Sequence, residues 1–298
     1  MRVGIVGLGE VGAAMAAALR ATGHDVLCLD ARPESATAGK ARALGIAMHA
    51  DAAPFARAAD VVLVTSQARW AAVLADWLVP EIPAGTVYAD CTAKSVAVRD
   101  HIAARCLGHG VAFCDIAIAD TVSWPDRKVE LLVSGAATGA IASLFDGSRF
   151  MPRIVDASKP VSAELKLLRS VYTKGLTALI IEALAAAEKC GTRAEVQRTI
   201  TAFMAEDFGR IATMLVGTSI KHAQRRAEEM KDVSEVVSAL LGGAPMTHGT
   251  AMVFQALADS GICSDLATLE GIVSEIAESR VFERLGQSAP AEVAKPGR

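Results

Sequence analysis

The chain opens with an apolar strand, "RVGIVG", that runs without a break into Gly7-Leu8-Gly9-Glu10-Val11-Gly12 and then into the helical "AAMAAALRATG". Few local patterns restrict a fold so tightly. Three glycines at this spacing, between a strand and a helix, allow a tight turn, close approach of backbone to a pyrophosphate, and close packing of helix on strand. The N–H groups left unpaired at the helix start then face an anion. The pattern predicts a dinucleotide site built from Gly7, Leu8, Gly9, Glu10, Val11 and Gly12.

Asp30 stands 18 positions past Gly12, at the end of a second strand, "DVLCLD". A carboxylate there accepts hydrogen bonds from the hydroxyls of an adenosine ribose. It also repels a 2′-phosphate, so NAD is the expected cofactor. Ala31 and Arg32 follow on the same rim, and the Arg32 guanidinium leaves NADP as the second choice. The third strand, "ADVVLVTS", ends in Thr65-Ser66-Gln67. These three are candidate contacts to the rest of the dinucleotide, with capping of the next helix as the alternative.

Strand-like "TVYADCT", "VAFCDIAI" and "VELLVSG" continue the alternation with helical stretches. That alternation predicts a Rossmann-type α/β fold, a doubly wound parallel sheet. From Ser162 to about 285 the strand signal disappears and amphipathic helices follow one another, with breaks at "KCGTR", "VGTS", "LGGAP" and "DSGICSD". The expected organisation is a dinucleotide-binding domain over 1–158, an all-α substrate and dimerisation domain over 159–286, and a loose tail over 287–298. The C-terminal helices are apolar around much of their circumference, which predicts a homodimer, with a tetramer as the alternative.

Net charge is −3 with no basic block, which argues against nucleic acid. Six cysteines without a CxxC pair argue against a disulfide scaffold or a zinc site, so no metal is expected. Reduced core thiols and a chain that starts directly in a strand point to a cytoplasmic protein without a signal peptide. No uncharged apolar run of about 18 residues supports a membrane span.

The first long helix after the sheet, "AELKLLRSVYTKGLTALIIEALAAAEK", is largely apolar, yet Lys166, Ser170 and Lys174 recur every four residues near its start. That spacing puts them on one face. A solvated stripe would explain them, and so would a row of groups facing a small-molecule substrate.

These motifs resemble the β-hydroxyacid dehydrogenase superfamily, which includes 3-hydroxyisobutyrate and 6-phosphogluconate dehydrogenases, over nearly the whole chain. "GLGEVG" is similar to that family's GLGxMG turn. Lys166 stands sixteen residues before Glu182 in "IIEALAA", as the family's catalytic lysine does before the Glu of an "AEA"-like segment. "MKDVSEVV" is similar to the family's KDL segment, which would bring Lys231 to the cofactor. "YTKGLTALIIEALAAAE", "DIAIAD…LLVSG" and "HAQRRAEEM" resemble a 6-phosphogluconate dehydrogenase-like subgroup whose helical C-terminal domain has no known function.

The resemblance implies hydride transfer between a nicotinamide and the alcohol/carbonyl pair of a small molecule, with Lys166 as general acid and base. Such a lysine needs its pKa lowered by burial or a second cation, for which Lys174 is the candidate. The departures concern substrate. "ADCTAKS" keeps Asp90 and Thr92 of an aspartate and serine-threonine motif; "DIAIADT" puts Ala119, Asp120 and Thr121 where the family has Ser-Gly-Gly; Arg169 and Ser170 replace two asparagines. Thr92, Asp120, Thr121, Ser170 and Lys174 are the expected substrate contacts. Simple 3-hydroxy acids are expected to be poor substrates, because Asp120 repels a bound anion unless Lys174 or Arg169 intervenes.

His222 falls on a charged helical face, and "RRAEEMK" reads as a helix surface with pairs such as Arg225–Glu229. His248, at a helix start, is a secondary candidate base. Three other functions fit the chain: an imine reductase, kept in view by Tyr172 and Asp120 although its relatives usually lack the lysine; a decarboxylating dehydrogenase; and a dinucleotide-binding regulator without turnover.

Overall fold

Runs such as "VVLV" are apolar on both faces, and only a sheet covered by helices on both sides buries them. The computed structural model describes residues 1–30, 36–120, 122–124, 127–262 and 268–287. Its strands are β1 (Arg2–Val6), β2 (Asp25–Leu29), β3 (Ala47–His49), β4 (Val61–Val64), β5 (Val87–Asp90), β6 (Ala112–Ile118), β7 (Val129–Gly135) and β8 (Phe150–Asp156). They form one sheet in the order β3-β2-β1-β4-β5-β6-β7-β8. Helices α1 (Glu10–Ala21), α2 (Ala36–Ala43), α3 (Ala52–Ala58), α4 (Ala71–Leu78), α5 (Val96–Gly108) and α6 (Thr138–Leu144) connect the strands. Then come α7 (Ser162–Lys189), α8 (Arg193–Met204), α9 (Phe208–Ser219), α10 (Ala223–Leu241), α11 (Pro245–Ala258), α12 (Leu269–Glu278) and α13 (Val281–Gln287).

Period-two alternation sorts each strand between two cores. Val3, Ile5, Val61 and Leu63 pack with Met15 and Leu19 of α1, whereas Val62 and Val64 pack on the opposite side with Phe55, Ala75 and Ile102. Helices therefore cover both faces, as a doubly wound sheet requires. Burial pushes the Cys28, Cys106 and Cys114 thiols up to about 12 and raises Cys91 as well. These four are free, protonated core thiols, and Cys190 is free and exposed.

The sheet departs from the expected all-parallel form at one junction. β7 runs antiparallel to β6 and parallel to β8. β3 and β8, unread in the sequence, are its edges. β3 is three residues long, and β8 carries Pro152 and alternates little, features that edge strands tolerate. In the helical part, the interruptions at Ala205–Asp207 and Ser279–Arg280 escaped a reading based on glycine and proline. Both lack those residues.

The chain forms two compact units, Met1–Tyr172 and a second beginning at Thr173. The division between the compact units falls inside α7, because the first turns of α7 are tied to the sheet. By length and composition α7 is long and apolar enough to cross a membrane, with a mean hydropathy of 1.2 over its most apolar stretch. Its fastenings at both ends mark it as part of the fold. In the second unit, Glu182 of α7 is buried, and its carboxylate accepts hydrogen bonds from Met246 N (2.9 Å), Thr247 N (2.8 Å) and Thr247 Oγ1 (2.5 Å). It thereby caps α11, whose own N-cap residue, Ala244, has no side-chain acceptor. The tail from 288 lies outside the described residues.

Burial raises the Glu182 pKa, but the Thr247 and Met246 hydrogen bonds outweigh it and hold the carboxyl below the ordinary glutamate value. A depressed pKa stabilises the fold above the unfolded-state value, and that contribution is lost as pH falls through the folded-state value. Glu182→Ala should destabilise the protein at pH 7 by about 1.5–3 kcal/mol. Thermal melts from pH 7 to pH 3 should show the gap between native and variant closing as the pH drops.

Candidate functional site

The glycine turn is built as its spacing requires. Gly7 has φ +100°, a left-handed conformation that side chains resist. A Cβ on Gly12 would stand 2.0 Å from Gly7 O and 2.5 Å from Thr65 Oγ1, so α1 lies directly on the turn. A Cβ on Gly9, by contrast, would meet nothing within 4 Å. The turn is therefore closed on its sheet side and open where a pyrophosphate would approach. Gly9 is the N-cap of α1 and offers no side chain to its first N–H groups, which suits an incoming anion. Thr65 braces the turn from β4 by donating to Gly7 O at 2.5 Å. Glu10 accepts from Ser123 Oγ at 2.6 Å, tying residues 122–124 to the same turn.

Because β1, β2, β4, β5 and β6 are parallel, their carboxyl ends share one edge of the sheet, where such sheets bind ligands. Gly7–Gly12, Asp30, Thr65–Gln67, Thr92 and Asp120 all lie on it. Asp30 follows β2, and its N–H donates to His49 O at 3.0 Å. Along the same edge, Ser66 Oγ, Asp90 Oδ2 and Thr92 Oγ1 are buried without a partner among the described residues. Unpaired buried polar atoms are costly. Three of them at one strand edge, beside an open glycine turn, fit a polar ligand such as a nicotinamide dinucleotide.

Asp90 and Asp115 face each other across β5 and β6. Lys94, fully buried, donates to Asp115 Oδ1 at 2.7 Å and stands 3.3 Å from Asp90 Oδ1. Burial works against the charged amine, yet the Asp90 and Asp115 charges outweigh it and hold Lys94 above the ordinary lysine value. Asp90 Oδ1 also accepts Thr92 N at 2.7 Å. Asp115 Oδ2 accepts Ala163 N, in the first turn of α7, at 2.7 Å. Ser134 Oγ accepts the N–H groups of Val161 and Ser162 at 2.9 Å each. Arg99 pairs with Glu164 at 3.4 Å, and Arg169 Nη1 donates to Ala119 O. Lys166, half-buried, sits between these fastenings. Ser170 Oγ donates back to Lys166 O at 2.8 Å, a local helix bond.

Asp120 has a cation after all, though a different one from those expected: Arg127 lies 3.7 Å away. Ala31, Arg32 and Thr121 lie outside the described residues. Lys174 is exposed on α7. In the second unit, Lys231 Nζ donates to Gln255 Oε1 at 3.0 Å. Lys231 and His248 line a cavity of about 560 Å³ together with Glu235, Met252 and Asp259. His222 is the N-cap residue of α10, and Arg225 pairs with Glu229, as the helix-surface reading has it. No group of three or more metal-ligating side chains occurs among the described residues. Sequence reasoning missed Lys94 and Asp115. An acid in the middle of the apolar strand "AFCDIAI" was the available signal.

Residues 2–144 match the NAD binding domain of 6-phosphogluconate dehydrogenase, and residues 187–257 match a domain of unknown function, DUF1932. An uncharacterized 28.5 kDa protein in the 7S RNA 5′ region of Methanothermus fervidus is 26% identical over 239 residues, 80% of this chain and 91% of its own length. The solved structure of MTH1747, a conserved protein of unknown function with structural similarity to 3-hydroxyacid dehydrogenases, is 25% identical with a TM-score of 0.58. That match covers 87% of this chain and 97% of that one. An imine reductase from Bacillus cereus matches with a TM-score of 0.74 at 16% identity, over 93% of this chain and 99% of its own.

Proposed function

We infer, from a first domain that matches the NAD binding domain of 6-phosphogluconate dehydrogenase, that the chain is a nicotinamide-dependent oxidoreductase acting on the alcohol/carbonyl pair of a small molecule. The observation that carries this reading is the fastening of α7. Asp115 and Ala119, on and just past β6, hold the helix on either side of Lys166. A nicotinamide bound there would supply or accept the hydride. Gly7–Gly12 and the α1 N-terminus would hold the pyrophosphate, Asp30 the adenosine ribose, and Ser66 and Thr92 would offer hydroxyls at the strand edge. Lys166 Nζ would give a proton to the carbonyl oxygen in reduction and take one from the hydroxyl in oxidation, exchanging it with solvent.

Arg127 beside Asp120 offsets part of the negative charge expected to repel a substrate anion. Even beside Arg127, the Asp120 carboxylate faces anions less favourably than small hydroxyl and backbone donors do, so larger neutral carbonyl compounds remain the favoured class. Imine reduction is the alternative, since imine reductases share this fold.

Steady-state rates with NADH and NADPH, on a panel of short keto acids, neutral ketones and aldehydes, and the cyclic imine 2-methyl-1-pyrroline, test the reading. NADH should be preferred, and Asp30→Ala should narrow that preference. A tenfold preference for NADPH would overturn the role given to Asp30. Lys166→Ala should lower kcat roughly 10²–10⁴-fold while leaving NADH affinity nearly unchanged. Turnover within about threefold of native would remove Lys166 from the chemistry. Reduction of the imine alone would favour the alternative, and NADH binding without turnover of any compound would favour a regulator.

A homodimer belongs to the same proposal. Only 17% of the most apolar stretch of α7 is buried, and Leu168, Val171, Ile181, Phe208 and Val236 are exposed. A second copy would cover these faces. Sedimentation velocity at micromolar concentration should give the dimer mass, and a monomer would refute it.

A further inference from the structure

Lys94 is a buried charge that hydride transfer does not require. Taking an ammonium ion out of water is costly, and an apolar side chain of similar volume would often serve stability as well. An apolar side chain cannot, however, hold two carboxylates in fixed register. Lys94 Nζ is 2.7 Å from Asp115 Oδ1, 3.3 Å from Asp90 Oδ1 and 3.4 Å from Asp90 O. The Asp115 oxygen it leaves free accepts Ala163 N at 2.7 Å. A continuous chain of contacts thus runs from the end of β5, through Lys94 and Asp115 on β6, into the first turn of α7.

We propose that Lys94 is a positioning residue for Lys166: acting through Asp115, its charge locks the first turn of α7 onto β6 and so sets where the lysine one turn later stands. The functional meaning of this lock rests on the reading of Lys166 as the proton-transfer group, whereas the lock itself is open to test without turnover. Without the ammonium, Asp115 Oδ1 loses its nearest partner, and its carboxylate stands beside that of Asp90 with no cation between them. Repulsion between the two would then turn Asp115 away from the position in which it accepts the Ala163 N–H. Ser134, Arg99 and Arg169 would still hold α7 nearby. Loss of Lys94 should therefore loosen the first turn rather than release the helix.

Two variants of the full chain, Lys94→Met and Asp115→Asn, distinguish this from a general role in the core. Hydrogen–deuterium exchange read by peptide mass should accelerate about tenfold or more over residues 162–169 while β1 and α1 change by less than about twofold. The rate at which acetic anhydride modifies Lys166 should shift in both variants, relative to Lys40 on α2 as internal reference. NADH affinity, measured by fluorescence, should stay within about threefold of native in Asp115→Asn, which leaves the Asp90–Thr92 hydrogen bond in place. Should Lys94→Met fail to fold, Asp115→Asn, which keeps the shape and an acceptor oxygen, decides by the same readouts. Exchange that is unchanged over 162–169, or that rises equally throughout the sheet, would overturn the proposal. Selective loosening together with full turnover in Lys166→Ala would instead overturn the role of Lys166, and the positioning role with it.

Discussion

Two carboxylates from adjacent strands, Asp90 and Asp115, meet in the core of the sheet, and one ammonium ion keeps them there. Like charges this close repel strongly in a medium poor in water. Lys94 converts that repulsion into a bridge across β5 and β6. Each carboxylate also holds the start of the next segment: Asp90 Oδ1, the oxygen that faces Lys94, accepts the N–H of Thr92, and Asp115 Oδ2 accepts the N–H of Ala163. A charged cluster that would weaken an ordinary core here joins β5 and β6 to the first turn of α7.

The glycine turn shows the same economy in neutral form. Thr65 reaches from β4 to the carbonyl of Gly7, and Gly12 lets α1 sit against that carbonyl. A larger residue at position 12, or loss of the Thr65 hydroxyl, would move the helix end away from the strand that aims it. The direction in which the α1 N–H groups face is thus decided by close packing on one side of the turn, so that the other side stays open.

Much of the first unit was legible because each of its elements carries its own signal. Strands buried on both faces read as unbroken apolar runs, and the glycine spacing identifies the turn by itself. The edge strands were not legible: β3 is too short to show a period, and Pro152 in β8 reads as an interruption unless the strand is known to be an edge. Of the candidate site, the glycine turn and the place of Asp30 at the end of β2 were legible in local pattern, and Lys166 entered as an expectation from resemblance. Lys94 and Asp115 could not, since they are 21 residues apart and acquire meaning only when β5 and β6 lie side by side. Glu182 entered only as a spacing marker, and its contact with Met246 and Thr247 depends on two helices 64 residues apart meeting.

The reversal at β7 decides where the lysine helix begins. Asp156, at the end of β8, pairs with Ser134, and Ser134 pairs with Asp115. The chain therefore leaves the sheet level with the middle of β6, not at its carboxyl end. From there α7 climbs beside β6, held first at Asp115 and then at Ala119, just past the strand. Six helical residues rise roughly 9 Å over that climb. Had β7 and β8 stayed parallel to β6, the chain would have emerged already at the carboxyl edge, and the next helix would have led away from it. The antiparallel turn makes the connection a ramp, and Lys166 is delivered to the edge by the direction of one strand.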